Sequence, residues 1–201
     1  MQIIDDYLPA NPPADDVRSW PLWNPVRIHV AKLVEHADKR GITELTTRLM
    51  NNLGLLLKTK GLWDEAEPLY RRALAIDEQI VGHVSNVPSA SDSELRKAQT
   101  NVSVRLNNLA QLLQATNRLA EAEPLMRRVV DIFENSLGAE HPNVATCVNN
   151  LARLLQATNR LAEAEPLMRR ALDIFRASLG DEHPNTLGVA KNYEILLAKK
   201  P

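Results

Sequence analysis

Asparagine residues occur in adjacent pairs at three places in this chain, and their chemistry is that of recognition by hydrogen bonds. The pairs are Asn51-Asn52, Asn107-Asn108 and Asn149-Asn150. Each side-chain amide carries two N–H donors and an oxygen that accepts twice, so a pair on one helix could bind a peptide backbone without requiring a particular peptide sequence. The same amides could instead bridge neighbouring helices and fix their register. The residues alone leave both interpretations open.

Residue patterns typical of enzymes do not occur in the sequence. It contains no GxxxxGKS/T phosphate loop, no HExxH or CxxC motif and no GxSxG nucleophile turn. His141 and His183 each precede a proline at a predicted helix start, which favours a structural role. His29 and His36 lie about 10 Å apart along a helix, and no cysteine or suitably placed carboxylate completes a metal site. We therefore predict no enzymatic activity, no metal and no cofactor.

The elements that would position the asparagines form a repeat. Leu112–Arg128 (LLQATNRLAEAEPLMRR) recurs letter for letter as Leu154–Arg170, and aligning Leu106–Cys147 with Val148–Val189 matches 31 of 42 positions. A more divergent copy lies earlier, where Glu65–Arg72 corresponds to Glu121–Arg128. Repeats of this length are typical of solenoids, in which each unit buries its apolar face against its neighbours.

Each unit is predicted to consist of two helices joined by a tight turn. In the third unit, apolar residues over 148–155 and again over 164–175 have the spacing of one helix face. Between them lies Asn159, equivalent to Asn117 and Gly61, and these residue types tolerate the left-handed backbone that ends a helix. The second helix of each unit also contains a proline, at Pro68, Pro124 and Pro166. Because every unit has it, we interpret this proline as part of the unit's shape.

These patterns predict an all-α protein of about eight helices. Residues 1–24 are predicted to be an extended N-terminal segment. A capping helix follows at 25–41, with Asn24 as its cap and the side chains of Trp20 and Trp23 packed against it. The repeat array is predicted at 42–201, with units at about 42–90, 91–141 and 142–183 and a terminal helix at 184–199.

The spacing between units is irregular at one place. The first two asparagine pairs are 56 residues apart and the next two are 42 apart, so 14 residues are inserted after Gly82. Ser91 and Glu94 have the spacing of a capping box. We predict a loop over 82–90, followed by an overlong helix over 92–116 whose first turns overhang the array. The insertion, at about 83–98, is either a binding feature or a tolerated surface insertion.

The pattern NNLAxLLxxxNRLAEAEPLxRRALxI…LGxxHPN resembles the 42-residue tetratricopeptide repeat of the kinesin light chain type. This type is also common in bacterial signalling proteins that carry a nucleotide-binding switch module. The resemblance covers about residues 42–199. It implies a right-handed α-α superhelix whose first helices line a concave groove, which holds an extended peptide or a partner helix.

Carried onto this chain, the resemblance places the groove on the first helix of each unit. The predicted peptide-binding residues are Asn51, Asn52, Lys58, Asn107, Asn108, Gln111, Gln114, Asn149, Asn150, Arg153, Gln156 and Asn192. Further groove positions are Leu55, Lys191 and Ile195. Lys58, Arg153, Lys191 and Lys199 give the groove a mildly positive lining, which favours an acidic or C-terminal segment as the ligand.

Composition and charge indicate which partners and which compartment are to be expected. The net charge is −1, and Lys and Arg are scattered rather than clustered, so no nucleic-acid partner is predicted. The single cysteine, Cys147, is typical of a reducing compartment and is predicted to be a buried, small apolar residue. The N-terminus has no signal-peptide pattern, and no stretch approaches 18 consecutive apolar residues. We predict a cytoplasmic protein without membrane contact.

The function predicted from the sequence is that of a non-enzymatic protein-interaction module, or scaffold, that binds a peptide or partner helix in the groove. Two alternatives stay open. The apolar terminal helix could pair with that of another copy, which would make the chain a self-assembly module that forms a homodimer. The chain could also be the sensor part of a bacterial signalling NTPase system.

Overall fold

The computed structural model describes residues 20–41 and 43–199, which contain eight α-helices and no strand. In chain order the helices are α1 (Trp20–Lys39), α2 (Glu44–Thr59), α3 (Trp63–Ser85), α4 (Asp92–Ala115), α5 (Leu119–Leu137), α6 (Pro142–Ala157), α7 (Leu161–Leu179) and α8 (Pro184–Leu197). The predicted all-α fold is confirmed. The chain divides into two compact bodies, Met1–Leu112 and Leu113–Pro201. Their boundary lies inside α4 rather than between two predicted units.

The first helix begins earlier than predicted. It starts at Trp20 instead of Pro25, so Asn24 lies inside the helix and the predicted cap is wrong. Val30, Val34 and Ala37 lie on one face of this helix and are buried. The rest of the predicted extended segment, residues 1–19, lies outside the described residues. The predicted packing of Trp20 and Trp23 also lies outside them, because only the backbone of these two residues is described.

The turns inside the units have the predicted geometry. Gly61 has a φ of +73°, and Asn117 and Asn159 each have a φ of +59°. The backbone N–H of the next residue then bonds back to a carbonyl of the preceding helix, as from Arg160 to Leu155 at 2.9 Å. This is the bond that closes a helix ending in a left-handed residue. The turn prediction is therefore confirmed in all three units.

The two histidines that precede prolines cap helices. Nδ1 of His141 accepts a hydrogen bond from the backbone N–H of Asn143 at 3.1 Å, and His183 does the same for Asn185 at 3.2 Å. The proline after each histidine opens α6 and α8 at a position whose N–H has no intrahelical partner. The predicted structural role of these histidines is confirmed.

The inserted residues extend α3 and α4, and only a short loop separates the two helices. α3 continues to Ser85, so the predicted loop start at Gly82 is wrong. The predicted capping box is present: Ser91 N–H donates to Glu94 Oε2 at 2.8 Å, and Glu94 N–H donates to Ser91 Oγ at 3.3 Å. α4 also has contacts from its second turn onward. Lys97 Nζ lies 2.8 Å from Glu44 Oε1 and Ala98 is buried, so the predicted overhang is wrong beyond the first turn.

No helix in the described part of the chain is both long enough and apolar enough to span a bilayer.

Candidate functional site

Some of the predicted groove asparagines bond to one another across neighbouring first helices. In the first body, Asn108 Nδ2 donates to Asn51 Oδ1 at 2.7 Å. In the second body, Asn192 Nδ2 lies 3.5 Å from Asn149 Oδ1. In both cases the second asparagine position of one unit donates to the first position of an earlier unit. These four residues therefore act as register contacts between helices, as the second interpretation of the pairs requires.

Three further predicted groove residues, Lys58, Gln111 and Gln114, also have polar contacts within the protein. Lys58 Nζ donates to Gln111 Oε1 at 2.8 Å, which joins α2 to α4 inside the first body. In the second body, Gln114 Nε2 lies 3.2 Å from Met126 Sδ, which belongs to α5. A thioether is a weak acceptor, so this amide is only partly satisfied.

The remaining predicted residues present polar groups without such bonds. Asn52, Asn107 and Asn150 are half-buried and Arg153 is exposed. No hydrogen bond or ion pair joins these four side chains to another residue that the structure describes. Their donors and acceptors are available to a ligand.

Gln156 has an unusual environment. Its Nε2 is buried, and over the described residues it has no hydrogen-bond partner. Gln156 is equivalent to Gln114, whose amide lies against a sulfur atom. A buried donor without a partner raises the free energy of the folded state. A bound carbonyl oxygen at this place would relieve that cost.

A small depression lies beside two of the predicted residues in the second body. It has a volume of about 250 Å³, and its lining includes Asn149 and Asn192 together with Phe175 and Val189. Ligand cavities for whole small molecules usually start at about 300 Å³. The depression therefore suits a single side chain of a longer ligand.

Sequence reasoning missed a larger cavity in the first body. It has a volume of about 480 Å³ and lies where the extensions of α3 and α4 meet the start of α2. Its apolar lining is formed by Ile76, Ile80, Val84 and Ala98, and Glu44 and Lys97 are among its polar residues. The irregular repeat spacing pointed to residues 83–98, but the isoleucines lie outside that range and gave no signal beyond ordinary helix periodicity.

Cys147 and the first two histidines show no features of a reactive site. Cys147 is half-buried, and burial raises the pKa of its thiol to about 12, so the thiol is protonated at neutral pH. His29 and His36 are exposed. Within residues 20–41 and 43–199, no group of three or more His, Cys, Asp or Glu side chains is arranged to hold a metal ion.

Paired helices, recurring left-handed turns and side-chain bonds between first helices define a helical-repeat protein. Residues 103–177 and 148–199 match a family model described as tetratricopeptide repeat, and residues 46–86 match a second model with the same description. Together these matches span more than half of the sequence. The chain belongs to the tetratricopeptide repeat family.

Solved structures share this fold. BtubC (BKLC) from P. vanneervenii is 20% identical with a TM-score of 0.65, over 87% of this chain and 65% of BtubC. The nearly identical repeats of a kinesin light chain-like protein from Podosopora anserina are 22% identical with a TM-score of 0.58, over 92% of this chain and 87% of that one. A variant of those repeats is 21% identical with a TM-score of 0.60, over 92% and 86%. No curated protein sequence matches this chain.

These comparisons confirm the predicted resemblance to repeats of the kinesin light chain type. At such low identities the structural matches show the fold alone, and the chain spans less than two thirds of the length of BtubC. Tetratricopeptide repeats generally mediate protein–protein interactions and are generally non-enzymatic scaffolds.

Proposed function

We propose that this chain is a non-enzymatic, cytoplasmic interaction module that binds an extended segment of a partner protein along its first helices. The observation that supports this most directly is that the polar residues of that face fall into two groups. Asn51, Asn108, Asn149 and Asn192 hold register. Asn52, Asn107, Asn150 and Arg153 lie on the same helices and make no hydrogen bond to any described residue.

The spacing of backbone groups along an extended peptide is compatible with the spacing of these amides. Stacked helices lie about 10 Å apart, and an extended chain advances about 3.3 Å per residue. Asn52 on α2 and Asn107 on α4, both in the first body, would therefore meet backbone groups of a bound peptide about three residues apart. Gln156, with its buried and unsatisfied donor, adds a place where a peptide carbonyl would be preferred to an apolar group.

Replacing Asn107, Asn150 and Arg153 together by alanine is expected to weaken peptide binding at least about tenfold, because each change removes a group that would pair with the bound peptide. The measurement is selection of a peptide from a random display library on the wild type, followed by titration of that peptide with both proteins. The melting temperature should stay unchanged, since none of the three side chains has a partner among the described residues.

The matched control is Asn108→Ala, which removes the register bond to Asn51. This variant should lose stability and retain the peptide at temperatures where it is folded. If the triple variant binds the peptide as tightly as the wild type does, the first helices are not the binding face.

The charge of the face supports an acidic ligand. Arg153 and Lys191 are exposed and have no ion-pair partner among the described residues, and Lys199 is also exposed. Binding of the selected peptide is expected to weaken as salt is raised, because exposed charges are screened over about 10 Å at 0.1 M ionic strength. The Arg153→Gln variant should show a smaller salt dependence. Equal affinities at low and high salt would contradict an acidic ligand.

The two alternative functions give other results. Self-assembly through α8 predicts a homodimer, which sedimentation equilibrium detects without any peptide. A sensor role in a signalling NTPase system predicts that the captured partner is itself an NTPase.

A further inference from the structure

The cavity of about 480 Å³ in the first body owes much of its wall to the inserted residues. α3 continues past Val81, whose equivalent in the next unit, Leu137, is the last residue of α5. α4 begins at Asp92, about two turns before Thr100, the residue equivalent to the start of α6. The lining residues that belong to these additional turns are Val84, Glu94, Lys97 and Ala98. The insertion therefore builds a cavity that the repeat pattern alone does not provide.

The interior of this cavity is apolar and has the size of a small-molecule site. Ile76 and Ala98 are only 4% and 6% exposed, and Ile80 and Val84 are half-buried. The volume lies within the range of about 300–1,000 Å³ that is typical of small-ligand pockets. A sphere of this volume is about 10 Å across, which is no wider than one α-helix with its side chains. The cavity therefore suits a compact apolar molecule better than a helix of a partner protein.

The polar residues of the lining offer hydrogen-bond acceptors. Glu44 Oε1 accepts from Lys97 Nζ at 2.8 Å, and Glu94 Oε2 accepts from the backbone N–H of Ser91 at 2.8 Å. The second carboxylate oxygen of each glutamate has no hydrogen bond to any residue that the structure describes. The half-buried amide of Asn101 also has no side-chain bond within residues 20–41 and 43–199. These acceptors are available to a donor on a bound molecule.

The charge of the lining favours a cation. The hydrogen bond from Lys97 lowers the pKa of Glu44, and the bonds from Ser91 lower the pKa of Glu94, so both carboxylates are ionised at neutral pH. Among the described lining residues, two carboxylates and the single ammonium group of Lys97 leave a net charge of −1, with His83 neutral. Lys97 is already paired with Glu44. An ammonium group would find charged acceptors here, whereas an anion would face the carboxylate of Glu94.

We propose that this cavity binds a small molecule with a compact apolar body and a single ammonium group. The apolar body lies among Ile76, Ile80 and Val84, and the ammonium group bonds to the carboxylates of Glu44 and Glu94. None of the predicted groove residues lines the cavity. The proposal therefore does not depend on peptide binding along the first helices.

The probes are three molecules that share one cage-shaped apolar body and differ in charge: 1-adamantylamine, 1-adamantanol and 1-adamantanecarboxylate. Each is titrated into the ¹⁵N-labelled full chain, and the amide shifts in the NMR spectrum locate the site. We expect the amine to bind with a Kd of about 1 mM or lower. It should bind about fivefold more tightly than the alcohol, because the carboxylates it meets are exposed. The carboxylate should bind most weakly, and the shifted amides should lie within residues 76–84 and 94–101.

Variants separate the effect of charge from that of shape. Glu94→Gln keeps an acceptor for the N–H of Ser91, because glutamine also serves in a capping box, and should reduce the preference for the amine over the alcohol to about twofold. Asp92→Asn removes a charge from the same turn of α4 outside the lining, and should leave the preference unchanged. Ala98→Leu and Val84→Phe each fill part of the cavity and should weaken all three probes. Their melting temperatures show whether each is folded, and one folded variant suffices.

Several results would overturn the inference. They are the absence of binding by any probe up to about 10 mM, equal affinities for the amine and the alcohol, or amide shifts outside residues 76–84 and 94–101. The variant with alanine at 107, 150 and 153 should bind the amine normally, so failure of the proposed groove leaves this result unchanged. If that variant loses the amine, the probe binds along the first helices instead, and the proposed cavity site is wrong.

Discussion

The Asp77→Ala variant is expected to lose about 3–5 kcal/mol of the free energy of unfolding. Asp77 Oδ2 accepts a hydrogen bond from Arg105 Nε at 3.0 Å, and the two side chains are only 2% and 6% exposed. Without the carboxylate, the guanidinium of Arg105 stays in an apolar interior with no counter-ion, and its lost hydration is not recovered. Urea denaturation of wild type and variant, monitored by circular dichroism, measures the difference.

The control is a double variant in which both residues are replaced by the residue types found at the equivalent positions of a later repeat unit. Asp77 and Arg105 occupy the positions of Phe133 and Cys147 in the next unit, and of Phe175 and Val189 after that. Burial raises the pKa of Asp77 although Arg105 opposes the rise, and burial also lowers the pKa of Arg105. The desolvation of the two charges therefore outweighs their attraction.

It follows that Asp77→Phe combined with Arg105→Val should be at least as stable as the wild type, as found when buried ion pairs are replaced by well-packed apolar groups. If the double variant is as unstable as Asp77→Ala, the loss in the single variant does not come from the stranded charge. In that case the apolar residues that occupy these positions in the later units do not fit the positions of Asp77 and Arg105.

The repeat made the helices and turns predictable because it offered each local feature several times. Asn117, Asn159 and Gly61 differ in type, yet only a left-handed turn explains all three at one position, and each has a positive φ. His141 and His183 occupy one repeat position in two units, and both cap helices. Local backbone chemistry determines these features, so a single sequence carries enough information to place them.

The start of α1 is predicted wrongly, although the repeat contains the signal for it. The prediction places Pro25 at the first position of the helix, where proline is favoured. It is instead the sixth residue of α1, as Pro68, Pro124 and Pro166 are the sixth residues of α3, α5 and α7. The internal proline of the repeat therefore also occurs in the capping helix, and comparing it with the later prolines would have placed the helix start at Trp20.

The roles of the asparagines could not be predicted, because an amide that holds register and one that binds a ligand are the same residue type. The choice depends on distances between helices, such as the 2.7 Å between Asn108 Nδ2 and Asn51 Oδ1, atoms that belong to residues far apart in the sequence. The ion pair of Asp77 with Arg105 was missed for a different reason. Charged residues at positions that are apolar in the other units were a visible signal, but periodicity alone does not assign them to each other.

Gly54→Ala is expected to lower the free energy of unfolding by about 1–3 kcal/mol, the usual cost of overpacking a core. An added Cβ would lie 2.7 Å from Cε1 and 2.9 Å from Cζ of Tyr70, and Tyr70 is completely buried. Alanine is intrinsically better than glycine inside a helix by about 0.5–1 kcal/mol. The contact with a completely buried ring is expected to exceed this gain. Thermal and urea denaturation measure the net change.

Tyr70→Met in the same molecule is expected to restore stability, because the repeat unit of the second body has Ala152 and Met168 at these positions. The unbranched thioether adapts to the extra methyl group in a way that a tyrosine ring does not. The prediction is therefore a strong coupling between the two sites, with the double variant more stable than Gly54→Ala alone. A gain in stability from Gly54→Ala by itself would contradict it. Such coupling means that Gly54 and Tyr70 pack as one unit. In that case the second helix of the first pair, α3, cannot be replaced by the second helix of a later pair.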